Sequence, residues 1–266
     1  MIDLGTTLGT SSTTLPPVTL SLDEIEFLVD KLSLDVLPVV LDANPRHDCL
    51  DARDAAFREA TESLTERDLF QYGTVDQSLE DRLRVLARPT WEIAVRWYVA
   101  GTVSRMCVSY SPDMSVLTMR AGDDFVVQDA GADLFAPIIR ALGNAQPMKF
   151  QNVNAPTADL SAAFDDGIDG ANLADRLVRL GVPAPDAGQL GRAIHGCDTH
   201  AEIVGIAYGD GQYDPVGGPV TVFDTELGRI VGTSSVSAHG VAWSSLSPGT
   251  TQRLRQALES LADRLQ

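Results

Sequence analysis

The chain has 266 residues, 44% of them hydrophobic, enough apolar material for one large domain or two tightly packed halves. Acidic residues outnumber basic ones by 37 to 20, a net charge of −17, so nucleic acid and membrane insertion are excluded as expected partners: a surface of that sign repels phosphate backbones and anionic headgroups. Cys49, Cys107 and Cys197 are odd in number and far apart, which argues against a secreted disulfide framework and for a reducing cytoplasm.

Residues 1–17 are rich in Thr, Ser, Gly and Pro and are expected to form a flexible tail. The start carries no charged region followed by an apolar one, so no secretion signal is expected. Ser21 with Glu24 three residues on forms a capping box, opening a helix with Ile25, Leu28, Val29 and Leu32 on its apolar side. The apolar run from Leu34 to Leu41 contains Asp35 and Pro38 and is too short to span a bilayer. A second helix is expected over residues 50–67 and a third after Asp76, with Leu79, Leu83 and Leu86 on one stripe and Pro89 as its stop.

Strands follow. Trp91, Ile93, Val95 and Trp97 alternate with Glu92, Ala94, Arg96 and Tyr98, the period of a strand with one buried face. Val103–Tyr110, Ser115–Arg120 and Phe125–Gln128 complete a four-stranded antiparallel meander. A closing helix starts at Asp133 and ends at Gly143. Residues 144–156 then read as a linker. Helices are expected at 157–165, 170–180 and 185–195, and strands near 201–208, 219–224, 228–233 and 241–246. Gly209 to Gly218 reads as a longer hairpin loop, and a final helix follows Ser247-Pro248.

One pattern therefore occurs twice, helices into a meander into a closing helix. The halves align with Glu92 on Glu202, Ile93 on Ile203 and Tyr98 on Tyr208. The expected fold is α+β: a quasi-two-fold single domain, with a central antiparallel β-sheet flanked by helical bundles. Its halves run over 18–143 and 157–266. If the first strands of the two halves are neighbours, eight strands form one sheet.

The halves differ in one telling way. Glu92, Ala94, Arg96 and Tyr98 are mostly polar, so their face is expected to be wet. Their counterparts Glu202, Val204, Ile206 and Tyr208 present an apolar face. Either the second half buries that face under Leu190 and Ile194 of its own helix, or the face is a docking surface between sheet and helices.

Chemical motifs are weak. His195, Cys197 and His200 form the one local cluster of metal-type ligands, with His47 and Cys49 elsewhere, but their spacing matches no paired zinc pattern. Asp165 to Gly170 has Gly167 at the third position of a calcium loop and Arg176 at the twelfth, so it reads as a turn. No phosphate loop or nucleophile elbow is present.

The chain resembles the EspG family of mycobacterial and related actinobacterial type VII secretion. The resemblance runs from about residue 20 to the end. It is carried by Leu83-Arg-Val-Leu-Ala-Arg-Pro89 flowing into Trp91–Tyr98, by Asp224-Thr-Glu-Leu-Gly-Arg-Ile230, and by Leu246-Ser-Pro-Gly249 before an Arg/Ala/Leu helix. It implies a cytosolic, non-enzymatic chaperone without cofactors, binding PE–PPE heterodimers of an ESX system by the hydrophobic tip of the PPE protein. The partner-binding candidates are Val204, Ile206 and Tyr208 on the strand and Leu190 and Ile194 on the helix, with Arg96 and Tyr98 as second choices. A free chain is expected to be a monomer or weak dimer. The alternatives are a metal-dependent enzyme with a site near His195, Cys197 and His200, and a self-associating scaffold. The segment Ser109 to Ser115 is short, and the chain ends at Gln266 without the longer tail of some relatives.

Overall fold

The computed structural model describes residues 16–164, 169–209, 212–236 and 240–266. The proposed tail, apart from Pro16 and Pro17, and most of the 165–170 turn lie outside the described residues. In chain order the first half comprises β1 (Val18–Ser21), α1 (Leu22–Lys31), a short 3-10 turn (Val39–Leu41) and α2 (Leu50–Glu66). It continues with β2 (Phe70–Gln71), β3 (Thr74–Val75), α3 (Gln77–Ala87), β4 (Trp91–Val99), β5 (Thr102–Tyr110), β6 (Ser115–Ala121), β7 (Asp124–Asp129) and α4 (Ala136–Leu142). The second comprises β8 (Val153–Pro156), α5 (Thr157–Phe164), α6 (Gly170–Arg179), α7 (Ala184–His195), β9 (Thr199–Gly209), β10 (Gln212–Thr225), β11 (Gly228–Val236), β12 (Ala242–Pro248) and α8 (Thr251–Ala262).

Caps explain the helix starts. The Ser21 hydroxyl accepts from the Glu24 N–H at 3.2 Å while the Glu24 carboxylate accepts from the Ser21 N–H at 2.8 Å. Asp76, Asp169 and Thr250 cap α3, α6 and α8 by accepting from backbone N–H groups of the first turn.

Ten strands form one antiparallel sheet in the order β1-β7-β6-β5-β4-β9-β10-β11-β12-β8, with β2 and β3 as a separate hairpin. The order reads alike from either end, and the twin strands β4 and β9 meet at its centre. The sheet exceeds the expected eight strands because β1 and β8 close its two edges, against β7 and β12. Strand β8 lies in the stretch that the sequence presents as a linker. Of the expected loop at 209–218, residues 212–218 belong instead to β10, which pairs with β9 through Gln212–Val216 and Val220–Phe223 with a bulge between them, while residues 210 and 211 lie outside the described residues.

Register assigns the faces, since residues opposite each other in an antiparallel pair share one side. One face carries Trp91, Ile93, Val95, Met106, Ala201, Ile203 and Val222, packed under Ile138 and Leu142 of α4 and Leu254, Leu258 and Leu261 of α8. The opposite face carries two separate cores. In the first half, Leu20, Ala94, Cys107, Val116 and Phe125 pack under α1 and α3. In the second, Val153, Ile230 and Leu246 pack under Leu160, Leu173, Leu177 and Leu190 of α5, α6 and α7. The two bundles thus stand on the same side of the sheet, with the β4–β9 seam between them.

Candidate docking face

The seam consists of residue pairs fixed by register: Glu92 opposite Ile206, Ala94 opposite Val204, Arg96 opposite Glu202, and Tyr98 opposite His200. Arg96 and Glu202 are exposed, and Val204, Ile206, Tyr208, Tyr98 and His200 are half-buried. Tyr98 stacks on His200 with ring centroids 4.5 Å apart and planes 12° from parallel, and Phe223 continues the row at 6.3 Å from His200. Three aromatic rings therefore run across β4, β9 and β10 toward the second bundle.

Cavities flank the seam. On the first-half side, one of about 420 Å³ lies between α1, the segment 35–45 and the Arg96 and Arg105 side of the sheet. Its rim carries Val36 and Val39, which are 69% and 58% exposed. Arg105 pairs with Asp42 at 3.2 Å, whereas Arg96 meets no ion-pair partner among the described residues. On the second-half side, a cavity of about 270 Å³ opens between α5 and the sheet. Hydroxyls line it in a chain, Thr157 to Ser244 at 2.9 Å and Ser244 to Ser234 at 3.1 Å. Gly232 forms part of its floor, and a Cβ there would lie 2.2 Å from Thr221 Oγ1.

The candidates from sequence divide into two groups. Val204, Ile206, Tyr208, Arg96 and Tyr98 share the seam. Ile206 additionally packs against the first-half core. Leu190 is a correction: it is fully buried in the second bundle, on the cluster that holds Ile230 and Leu246, so it meets no external partner directly. Ile194 is half-buried at the edge of that same cluster. Helix α7 meets the sheet at β10, beside β9, and the Glu202–Tyr208 face is half-open, with Ile206 partly packed on the first-half core. The corresponding face of β4 is not uniformly wet either. Glu92 and Ala94 are buried beneath the first-half layer, and the strand becomes open only from Arg96 onward.

Glu92 is the unusual group. It is fully buried, and neither carboxyl oxygen meets a partner at full hydrogen-bond geometry. Burial pushes its carboxyl up to about 7, opposed by the Tyr208 hydroxyl, which favours the ionised form. Alternation alone marks Glu92 as a solvent residue, so the sequence carries no sign of this state.

The His/Cys cluster does not converge. His195 is exposed, His200 is stacked on Tyr98, and the Cys197 thiol donates to the Thr199 carbonyl at 3.1 Å. Among the described residues, the ligand-type side chains that do come together are Asp23, Glu26 and His47. Cations already serve that group: Arg46 donates to both Asp23 oxygens, at 3.2 and 2.8 Å, and Arg53 lies 3.6 Å from Glu26. The Arg46 hydrogen bond holds the Asp23 carboxyl below its ordinary value. Cys49 is exposed and not part of the group. No helix among the described residues is long and apolar enough to cross a membrane.

The sequence model of the EspG family matches residues 21–260. The ESX-1 secretion-associated protein EspG1 of Mycobacterium tuberculosis is 26% identical over 259 residues, covering 93% of this chain and 87% of that protein. The ESX-3 secretion-associated protein EspG3 of Mycolicibacterium smegmatis is 27% identical over 251 residues, covering 92% of this chain and 85% of that protein. Among solved structures, the M. tuberculosis type VII secretion system chaperone EspG5, in complex with the PE25–PPE41 dimer, shares the fold with a TM-score of 0.79. It is 18% identical, and the match covers 94% of this chain and 97% of that one.

Proposed function

The chain belongs to the EspG family, and on that footing we propose that it is a type VII secretion chaperone that binds a PE–PPE dimer through the apolar tip of the PPE protein. The observation that carries this reading is the half-open seam, where Val204, Ile206 and Tyr208 lie between two bundles on one side of the sheet. The likeness in fold to EspG5, solved with PE25–PPE41, supports it. A domain rarely leaves a row of half-buried apolar strand residues open at its centre without a partner for them. A docked tip would bury them and stack on the Tyr98–His200–Phe223 row, while Arg96 and Glu202 supply polar contacts at the margin. Leu190 and Ile194 act from beneath, by holding the second bundle in place.

Docking of this kind performs no chemistry. It covers apolar surface that would otherwise drive aggregation of the PPE tip, and the acidic surface of the chaperone keeps the complex soluble. The test is co-expression with a PE–PPE pair encoded in the same genome, followed by mass measurement on the eluted species. A 1:1:1 complex lost on Val204→Glu supports the proposal. A homo-oligomer that ignores every such pair supports a self-associating scaffold instead.

A further inference from the structure

We infer that docking at the seam is coupled to uptake of one proton by Glu92, so that the complex tightens as pH falls through neutrality. The inference rests on the docking proposal above and concerns how that same face is regulated.

The quasi-two-fold axis supplies the first argument. It relates Glu92 to Glu202 and Arg96 to Ile206. Glu202 therefore lies opposite an arginine at the open surface. Its counterpart Glu92 lies opposite Ile206, fully buried, with no cation within ion-pair distance among the described residues. One carboxylate is solvated, with an arginine opposite it in register; the other is buried and has no cation opposite.

The surroundings of Glu92 are nearly neutral on every side. Strand β5 presents the Ser109 hydroxyl, directly opposite, and the Cys107 thiol, whose own titration is pushed up by burial first and by the Glu92 charge second. Strand β9 presents Ile206 and the Tyr208 hydroxyl. The helical layer above contributes the apolar first-half core, and its buried cation Arg82 is committed to Asp129 at 2.8 Å. Arg96 lies further along β4 and points to the open part of the seam.

Ile206 lies opposite Glu92 and Tyr208 is its hydroxyl partner, and both are only half-buried, so water bathes the strand face beside the Glu92 carboxylate. A partner that covers both removes that water. The charged form then loses more than the neutral one, so the carboxylate takes a proton from solvent and becomes a carboxylic acid. Because its midpoint is already about 7, the transfer falls near neutral pH. A further rise of about one unit on docking corresponds to about tenfold weaker binding at high pH than at low pH.

The experiment is titration calorimetry of the full chain with a purified PE–PPE dimer from the same genome, between pH 6 and 8.5, in two buffers of different ionisation enthalpy. Expected are net proton uptake near pH 7.5 and an affinity about tenfold weaker at pH 8.5 than at pH 6. Glu92→Gln is expected to bind without proton uptake and without the pH slope. Infrared spectroscopy gives a second readout that needs no variant: a protonated-carboxyl band that grows when the complex forms at pH 7.5. A complex sensitive to Val204→Glu but with no uptake and no new band overturns the linkage and leaves the docking proposal standing. Uptake that persists in Glu92→Gln overturns the assignment to Glu92. A complex indifferent to Val204→Glu, or no complex with any pair, overturns both.

Discussion

Ala94 on β4 lies opposite Val204 on β9 at the middle of the ten-stranded sheet, and each is the other's counterpart in the repeated pattern. The quasi-two-fold axis therefore passes between them. Around it the two halves are alike in backbone and unlike in side chains: on one face Trp91 and Trp97 stand where the second half has Ala201 and Ala207, and on the other Ala94 and Arg96 stand where it has Val204 and Ile206.

Val204 and Ile206 are expected to respond differently to the same change. Val204 belongs to none of the three cores, so Val204→Glu should leave the melting temperature within a few degrees of the parent. Ile206 packs on the first-half core, and Ile206→Glu should cost about 1–3 kcal/mol. Thermal unfolding of the two variants checks this.

Glu92 predicts a pH dependence of stability. Its folded carboxyl titrates at about 7 against an ordinary value of 4.5. Between those values the folded state holds a proton that the unfolded chain has released, so stability falls as pH rises through that window and levels off above 7. The full penalty is about 3 kcal/mol. Glu92→Gln should recover about 2–3 kcal/mol at pH 8 and almost nothing at pH 4, measured by denaturant unfolding.

Arg229 ties the halves together. Its guanidinium donates to both Asp224 oxygens at 2.6 and 2.7 Å, and to the Leu142 and Gly143 carbonyls at the end of α4 at 2.6 and 3.0 Å. The neighbouring Gly228 has φ +117, and a Cβ there would lie 2.6 Å from the Met148 nitrogen. Arg229→Ala should destabilise by about 3–5 kcal/mol, since it leaves Asp224 and two carbonyls without their donor. Gly228→Ala should also lower the melting temperature, through backbone strain and this close approach.

The second bundle depends on a close helix crossing. A Cβ on Gly191 would lie 2.2 Å from the Gly170 carbonyl oxygen, so Gly191→Ala must push α6 and α7 apart. Leu190→Ala should cost about 2–5 kcal/mol through a cavity in the same bundle. Both variants should lose partner binding only to the extent that the bundle loosens, which hydrogen exchange of α6 and α7 would report.

The alternation of Trp91–Tyr98 and the periodic leucines of α3 and α8 declare their elements in sequence, because each repeats one spacing over several turns or pleats. Strands β1 and β8 do not. Each has four residues with two inward side chains, Val18 and Leu20 or Val153 and Ala155, too few to stand out beside Ser21 and the Gly/Asn/Pro stretch. Helical periodicity shows that Leu190 faces inward but not which strands lie beneath it. Glu92 fails for a related reason: alternation assigns it to a face, and only the packing of the first-half layer decides that the face is dry at that point. The seam was visible as a difference between the halves; its depth was not.

The most direct measurement of the central claim is a pull-down of PE–PPE dimers, from the same genome, by the parent chain and by Val204→Glu at matched thermal stability. The account predicts a stoichiometric 1:1:1 complex with the parent and none with the variant. An undiminished complex with the folded variant would contradict it.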